Sequence, residues 1–139
     1  MNTSRPVVLL TGFGPFPGMP ENVSANLVQS VSRQARPVHK SHRFHAAILP
    51  TEWRAAPQRL SALISKLRPA VSLHFGVAEN ADGFRIETRG LNACRMTEDS
   101  AGCLPPAPIL IDSGPESYNA ALPVNGIVDR LTALDLPAT

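Results

Sequence analysis

Three sets of side chains in this sequence are of kinds that do chemistry: the Glu87 carboxylate, the thiols of Cys94 and Cys103, and the imidazoles of His39, His42 and His45. Glu87 lies in the stretch Gly76 to Asn92. It is the one carboxylate there with apolar or cationic residues close on both sides, namely Ile86, Arg85 and Arg89. Its bland alternative is a surface carboxylate paired with Arg85 or Arg89. A thiol attacks an amide well only as the thiolate, so an imidazole must stand near to take its proton. Cys94, two residues past Asn92, is a rival nucleophile, but no sequence neighbour of Cys94 or Cys103 would activate either thiol. Three histidines at three-residue spacing invite a metal. That spacing suits neither a helix face nor a strand face, and no carboxylate or thiol lies nearby. No metal and no cofactor is expected, and these histidines read as loop and edge-strand residues.

The elements that must position these groups follow from hydrophobic patterning. Pro6 to Thr11 is a continuous apolar run, as in a strand buried on both faces. Asn22 to Ser32 predicts a helix capped by Asn22 or Ser24, with Val23, Leu27, Val28 and Val31 on one face. Phe44 to Leu49 predicts a second strand. Pro57 to Leu67 predicts a second helix with a stripe of Leu60, Leu63, Ile64 and Leu67, and Pro69 ends it. Ala70 to Phe75 is a third apolar run, stopped by Gly76. The order β-α-β-α-β implies an α/β fold, a three-layer sandwich with a mostly parallel sheet and helices on both faces. In such a sheet, ligands sit beyond the carboxyl ends of the strands, which is where Gly76 to Asn92 would lie. Beyond Asn92 the pattern weakens. Arg95 to Pro108 reads as irregular, Ile109 to Ile111 as a short strand or hairpin arm, and Ser117 to Leu134 as helix in two parts around Pro123.

Length and composition narrow the classes. The 139 residues suit one domain over 1–139, and 43% hydrophobic residues are typical of a soluble globular protein. A net charge of +2 with scattered Lys and Arg offers no stripe for nucleic acid. No run reaches the roughly 18 apolar residues of a membrane span, and Val7 to Leu10 is too short for a signal-peptide core, so a cytoplasmic location is expected. Two cysteines in a reducing compartment are expected to be free.

Ordered along the whole chain are several motifs. Thr11-Gly12-Phe13-Gly14-Pro15-Phe16-Pro17-Gly18 follows the first strand, with Asn22 and Ser24 opening the helix. Leu49-Pro50-Thr51 follows the second strand. Gly76, Glu87 and Asn92 are spaced by eleven and five residues, and Gly114-Pro115, Tyr118 and Leu122-Pro123 come later. In this set the chain resembles the pyroglutamyl peptidase I family of cysteine peptidases.

The resemblance implies a Cys-His-Glu triad with Glu87 at the acid position. A carboxylate behind the imidazole fixes its tautomer and stabilises the imidazolium. In the family the nucleophilic Cys follows a strand that would start directly after Pro137-Ala138-Thr139, and the His comes later. By this resemblance the domain lacks its C-terminal part, and the 139 residues alone are expected to be inactive. A catalytically dead, ligand- or protein-binding remnant of the fold is the alternative. The implied substrate is a peptide with an N-terminal pyroglutamate, a neutral lactam that needs flat apolar walls and a few polar groups. Phe13 and Phe16 are the candidate walls, with Thr51 at the rim, unless the two rings simply plug the core. Val77 stands where the family has a Gln that could hydrogen-bond the lactam, and Gly83-Phe84-Arg85 replaces its Gly-Arg pair. No nucleic acid or membrane partner is implied; a homo-oligomer is.

Overall fold

Strand β1 spans Val7–Phe13, and each residue from Val7 to Gly12 is buried, as the unbroken apolar run demands of a central strand. The computed structural model describes residues 4–139. Strand β2 (Arg43–Leu49) lies parallel to β1 on one side, from Val7 opposite Arg43 to Phe13 opposite Leu49. Strand β3 (Val71–His74) lies parallel on the other, from Val8 opposite Val71 to Thr11 opposite His74. The sheet order is therefore β2-β1-β3. Helix α1 (Val23–Val38) joins β1 to β2, and helix α2 (Ala55–Leu67) joins β2 to β3. Right-handed crossovers that reverse direction after β2 put the two helices on opposite faces, the α/β sandwich expected of the sequence.

The helices depart from expectation in detail. α1 continues to Val38 although Pro37 lies inside it. The proline removes a bond only in the last turn, and the His39 amide still donates to the Ala35 carbonyl at 2.8 Å. The expected stripe starting at Val23 is wrong at its first member, which is 63% exposed. The buried positions are Ser24, Val28 and Ser32, one helical turn apart. At Ser24 this face comes close to the strand. A Cβ on Gly12 would sit 2.5 Å from the Ser24 carbonyl oxygen. Gly12→Ala should therefore cost about 1–3 kcal/mol of unfolding free energy, as overpacking does, and urea unfolding would measure it. A variant as stable as the parent would show that α1 can back away. The core beneath α1 is Val8, Leu10 and Val28, ringed by Val31, Phe44, Ala46, Val71, Leu73 and Phe75.

These elements form one compact unit, which runs to Val77 and takes in Thr97–Pro106; a second unit comprises Ala78–Met96 and Ala107–Thr139. In the second unit the expected hairpin arm at Ile109 to Ile111 is not a strand. Its backbone is taken up by the Asn92 side chain instead. The first part of the expected helix is also a strand: β5 (Ser117–Asn119) pairs antiparallel with β4 (Arg89–Leu91), Leu91 facing Ser117. Leu122-Pro123 keeps the helix from reaching back that far, and α3 begins at Val124 and ends at Thr132. Residues 84–86 run parallel to the last three residues: the Phe84 amide donates to Pro137 (2.8 Å) and the Ile86 amide to Thr139 (2.7 Å).

Candidate active site

The first unit's polar bonds converge on the loop after β1. The Phe13 amide donates to Ser24 Oγ at 3.0 Å. Ser24 Oγ donates to Asn22 Oδ1 at 2.7 Å, and the Ser24 amide donates to the same oxygen at 3.1 Å, which makes Asn22 the cap of α1. Asn22 Nδ2 then reaches back to the Gly14 carbonyl at 3.0 Å. The Thr51 hydroxyl donates to that same carbonyl at 2.9 Å, and the Gly14 amide donates to Leu49 at 2.8 Å. Helix start, strand end and loop are bolted together around one residue, Gly14. Asn22 and Ser24, both buried, do more than begin a helix, which spacing alone could not reveal.

Beyond Gly14 the loop closes as Phe16-Pro17-Gly18-Met19, with paired bonds between Phe16 and Met19 (3.2 and 2.8 Å). Gly18 has φ +85°, the left-handed value that position i+2 of a type II turn requires, and Pro17 precedes it. Phe13 and Phe16 are each half-buried and stand outside the main core cluster. Thr51, also half-buried, is brought to the same loop through Gly14. All of this lies at the carboxyl end of a parallel sheet, and the strand order reverses at β1 and β3.

One further group lies at this edge and is not among the histidines singled out by spacing. His74, at the end of β3, places Nδ1 2.7 Å from the Thr11 hydroxyl, which is fully buried. His74 is exposed on its outer side, but the edge that meets Thr11 is shielded, and this desolvation lowers its pKa below the usual imidazole value. The imidazole is accordingly neutral at pH 7.

Val77 follows β3, half-buried, at the end of the first unit's main run. Glu87 belongs to the second unit and is exposed, one residue past the Ile86–Thr139 bond. Among the described residues no ion pair joins it to Arg85 or Arg89. Cys94 and Cys103 are free thiols, and no described side chain hydrogen-bonds to Cys94 Sγ. The three spaced histidines are apart in role: His39 caps α1 and leans on Phe44 (6.2 Å between centroids), His42 bonds Ser41 in the following turn, and His45 is exposed on β2. Among the described residues no group of three or more His, Cys, Asp or Glu is gathered as a metal site would need, and no helix is long and apolar enough to cross a membrane. Two shallow concavities lie elsewhere, one around Ser32 and Arg36 on α1, the other around Gly83 and Pro137.

The family profile described as pyroglutamyl peptidase matches residues 6–139. The chain is 34% identical over 133 residues to a pyrrolidone-carboxylate peptidase of Chromobacterium violaceum, covering 95% of this chain and 62% of that protein. It is 28% identical over 136 residues to the human pyroglutamyl-peptidase 1, covering 98% of this chain and 64% of that one. Among solved structures it is similar to the pyrrolidone carboxyl peptidase of Fervidobacterium islandicum AW-1, with a TM-score of 0.87 at 28% identity over 96% of this chain and 64% of that chain. The pyroglutamyl peptidase I of Bacillus amyloliquefaciens gives 0.85 at 26%, with the same coverage of both chains. The chain thus spans less than two thirds of the length of these relatives.

Proposed function

This chain belongs to the pyroglutamyl peptidase family, and we propose on that basis that the protein is a cytoplasmic cysteine peptidase that removes pyroglutamate from peptide N-termini. The observation that carries the reading is the loop Gly12 to Met19. It presents two half-buried aromatic rings at the carboxyl edge of a parallel sheet and is held there by Asn22, Ser24 and Thr51. Such a loop suits a flat, neutral lactam, whose ring wants apolar walls and whose amide wants a few polar partners. Val77, a further substrate-binding position in this reading, stands where the family has a Gln and offers the lactam no side-chain hydrogen bond. In the chemistry, the family's Cys attacks the amide carbonyl beyond the lactam, its His takes the thiol proton and returns it to the leaving amine, and water then releases the acyl group. Glu87 orients that His and stabilises its cation. None of the 139 residues supplies that Cys or His by the family spacing, so these residues alone should release nothing from a pyroglutamyl amide reporter. The active protein acts as a homo-oligomer in this reading.

The pocket assignment has its own test in the polypeptide that turns over. Phe16→Ala should raise KM more than it lowers the melting temperature, because the ring faces substrate and stands apart from the core. A mutant that instead unfolds, at the about 3–5 kcal/mol cost of deleting a core aromatic, would assign the ring to packing.

A further inference from the structure

Residues 97–106 belong to the first unit, although the sequence on both sides of them belongs to the second. Asp99 organises this loop. Its Oδ1 accepts from the amides of Ala101 and Cys103, each at 2.9 Å. Its own amide donates to the Cys103 carbonyl at 2.9 Å, and the Gly102 amide donates to the Asp99 carbonyl at 3.0 Å. The other carboxylate oxygen, Oδ2, accepts from the Trp53 amide at 2.9 Å. Two more bonds join the same segments: Trp53 Nε1 donates to the Thr97 carbonyl at 2.8 Å, and the Ser100 amide donates to the Thr51 carbonyl at 2.9 Å. One carboxylate thus folds the 97–103 loop with one oxygen and binds it to residues 51–53 with the other. Thr51 in turn holds the Gly14 carbonyl of the aromatic loop.

We propose that Asp99 is a positioning residue for the pocket rim, a latch that fixes the 97–103 loop on residues 51–53 and so holds Thr51 against the aromatic loop. As a statement about the pocket this rests on the function proposed above; as a statement about the latch it does not.

The charge matters to the latch. The Cys103 amide, then that of Trp53, hold the Asp99 carboxyl below the ordinary carboxylate range; desolvation opposes them, and the amides of Ala101 and of Asp99 itself add lesser contributions in the same direction as the first two. The titratable groups on the loop and on the segment it packs against are Glu98, Cys103, Glu52 and Arg54, and none of these side chains bonds to the carboxylate. Because the folded-state value is lowered, the latch is fully formed above the ordinary aspartate range. It is lost as pH falls through the folded-state value.

Trp53 is the only tryptophan in the chain, so its emission reports the latch directly. Hydrogen exchange of the Trp53 and Cys103 amides reports it residue by residue. Asp99→Ala removes both oxygens. Asp99→Asn keeps one oxygen but turns an N–H₂ donor toward one set of amide donors, and it serves if the alanine variant does not fold. At neutral pH each variant should exchange one or both of these amides roughly tenfold faster or more, with Trp53 emission moved to the red and the β1 amides unchanged. On acidification the parent should acquire the variants' emission with its far-UV spectrum intact, and Asp99→Asn should not respond. Parent exchange rates in both variants, or an unaltered acid response in Asp99→Asn, would overturn the latch. In the polypeptide that turns over, KM should rise more than kcat falls. Loosened residues 51–53 with an unchanged KM would overturn the role at the pocket, whereas an inactive parent would count against the proposed function and leave the exchange result standing.

Discussion

Glu87→Gln, made in the polypeptide that also carries the family's Cys and His, is expected to lower kcat by about 10²–10⁴-fold while the fold stays intact. The amide keeps the size and one acceptor of the carboxylate. It loses the charge that stabilises an imidazolium, and it can present its N–H₂ side to the ring and select the wrong tautomer. Folding should be indifferent, because Glu87 is exposed and pairs with neither neighbouring arginine among the described residues. A thermal melt beside the kinetics separates the two effects. Unchanged turnover would remove Glu87 from the mechanism and return it to the surface.

The second large effect concerns stability. Asn92 is 8% exposed, and its side chain does the work of a missing strand partner. Oδ1 accepts from the amides of Leu110 (3.1 Å) and Ile111 (2.8 Å), and Nδ2 donates to the Ile111 carbonyl at 2.9 Å. Asn92→Ala takes one of two donors from the Ile111 carbonyl, which keeps the Gly114 amide at 3.1 Å, and strands the amides of Leu110 and Ile111. Each would cost about 1–3 kcal/mol if it stayed dry. The side chains of Leu110 and Ile111 are more than half exposed, so water can reach part of the gap. A net loss of about 2–4 kcal/mol follows. Tyr118, the only tyrosine, lies in the same unit and gives a local signal for urea unfolding. Asn92→Asp separates the contributions, since it keeps the acceptor but sets a second oxygen against the Ile111 carbonyl. An alanine variant within half a kcal/mol of the parent would mean that solvent replaces all three bonds, a result surface substitutions give.

Much of the fold was legible because its instructions are local. An unbroken apolar run, a proline in the first turn of α2 and a glycine after β3 act on their own neighbours, so β1-α1-β2-α2-β3 could be read in order, the strands to within two residues, although α1 runs six residues past its expected end at Ser32. The aromatic loop was legible for the same reason: Pro17-Gly18 dictates its turn from within. What stayed hidden depends on partners distant along the chain. Thr11 and His74 are 63 residues apart, and Trp53 and Asp99 are 46 apart. No periodicity encodes such bonds, because they exist only once the sheet has brought its strand ends together. β5 looked helical because its three residues carry little preference of their own, and only pairing with Arg89–Leu91 made them a strand. The buried face of α1 is the same lesson in packing. Hydrophobicity pointed to Val23, but at Ser24 the backbone of α1 comes close to Gly12 of β1 and the serine hydroxyl accepts from the Phe13 amide, so the side carrying Ser24 and Val28 faces in and Val23 is left exposed.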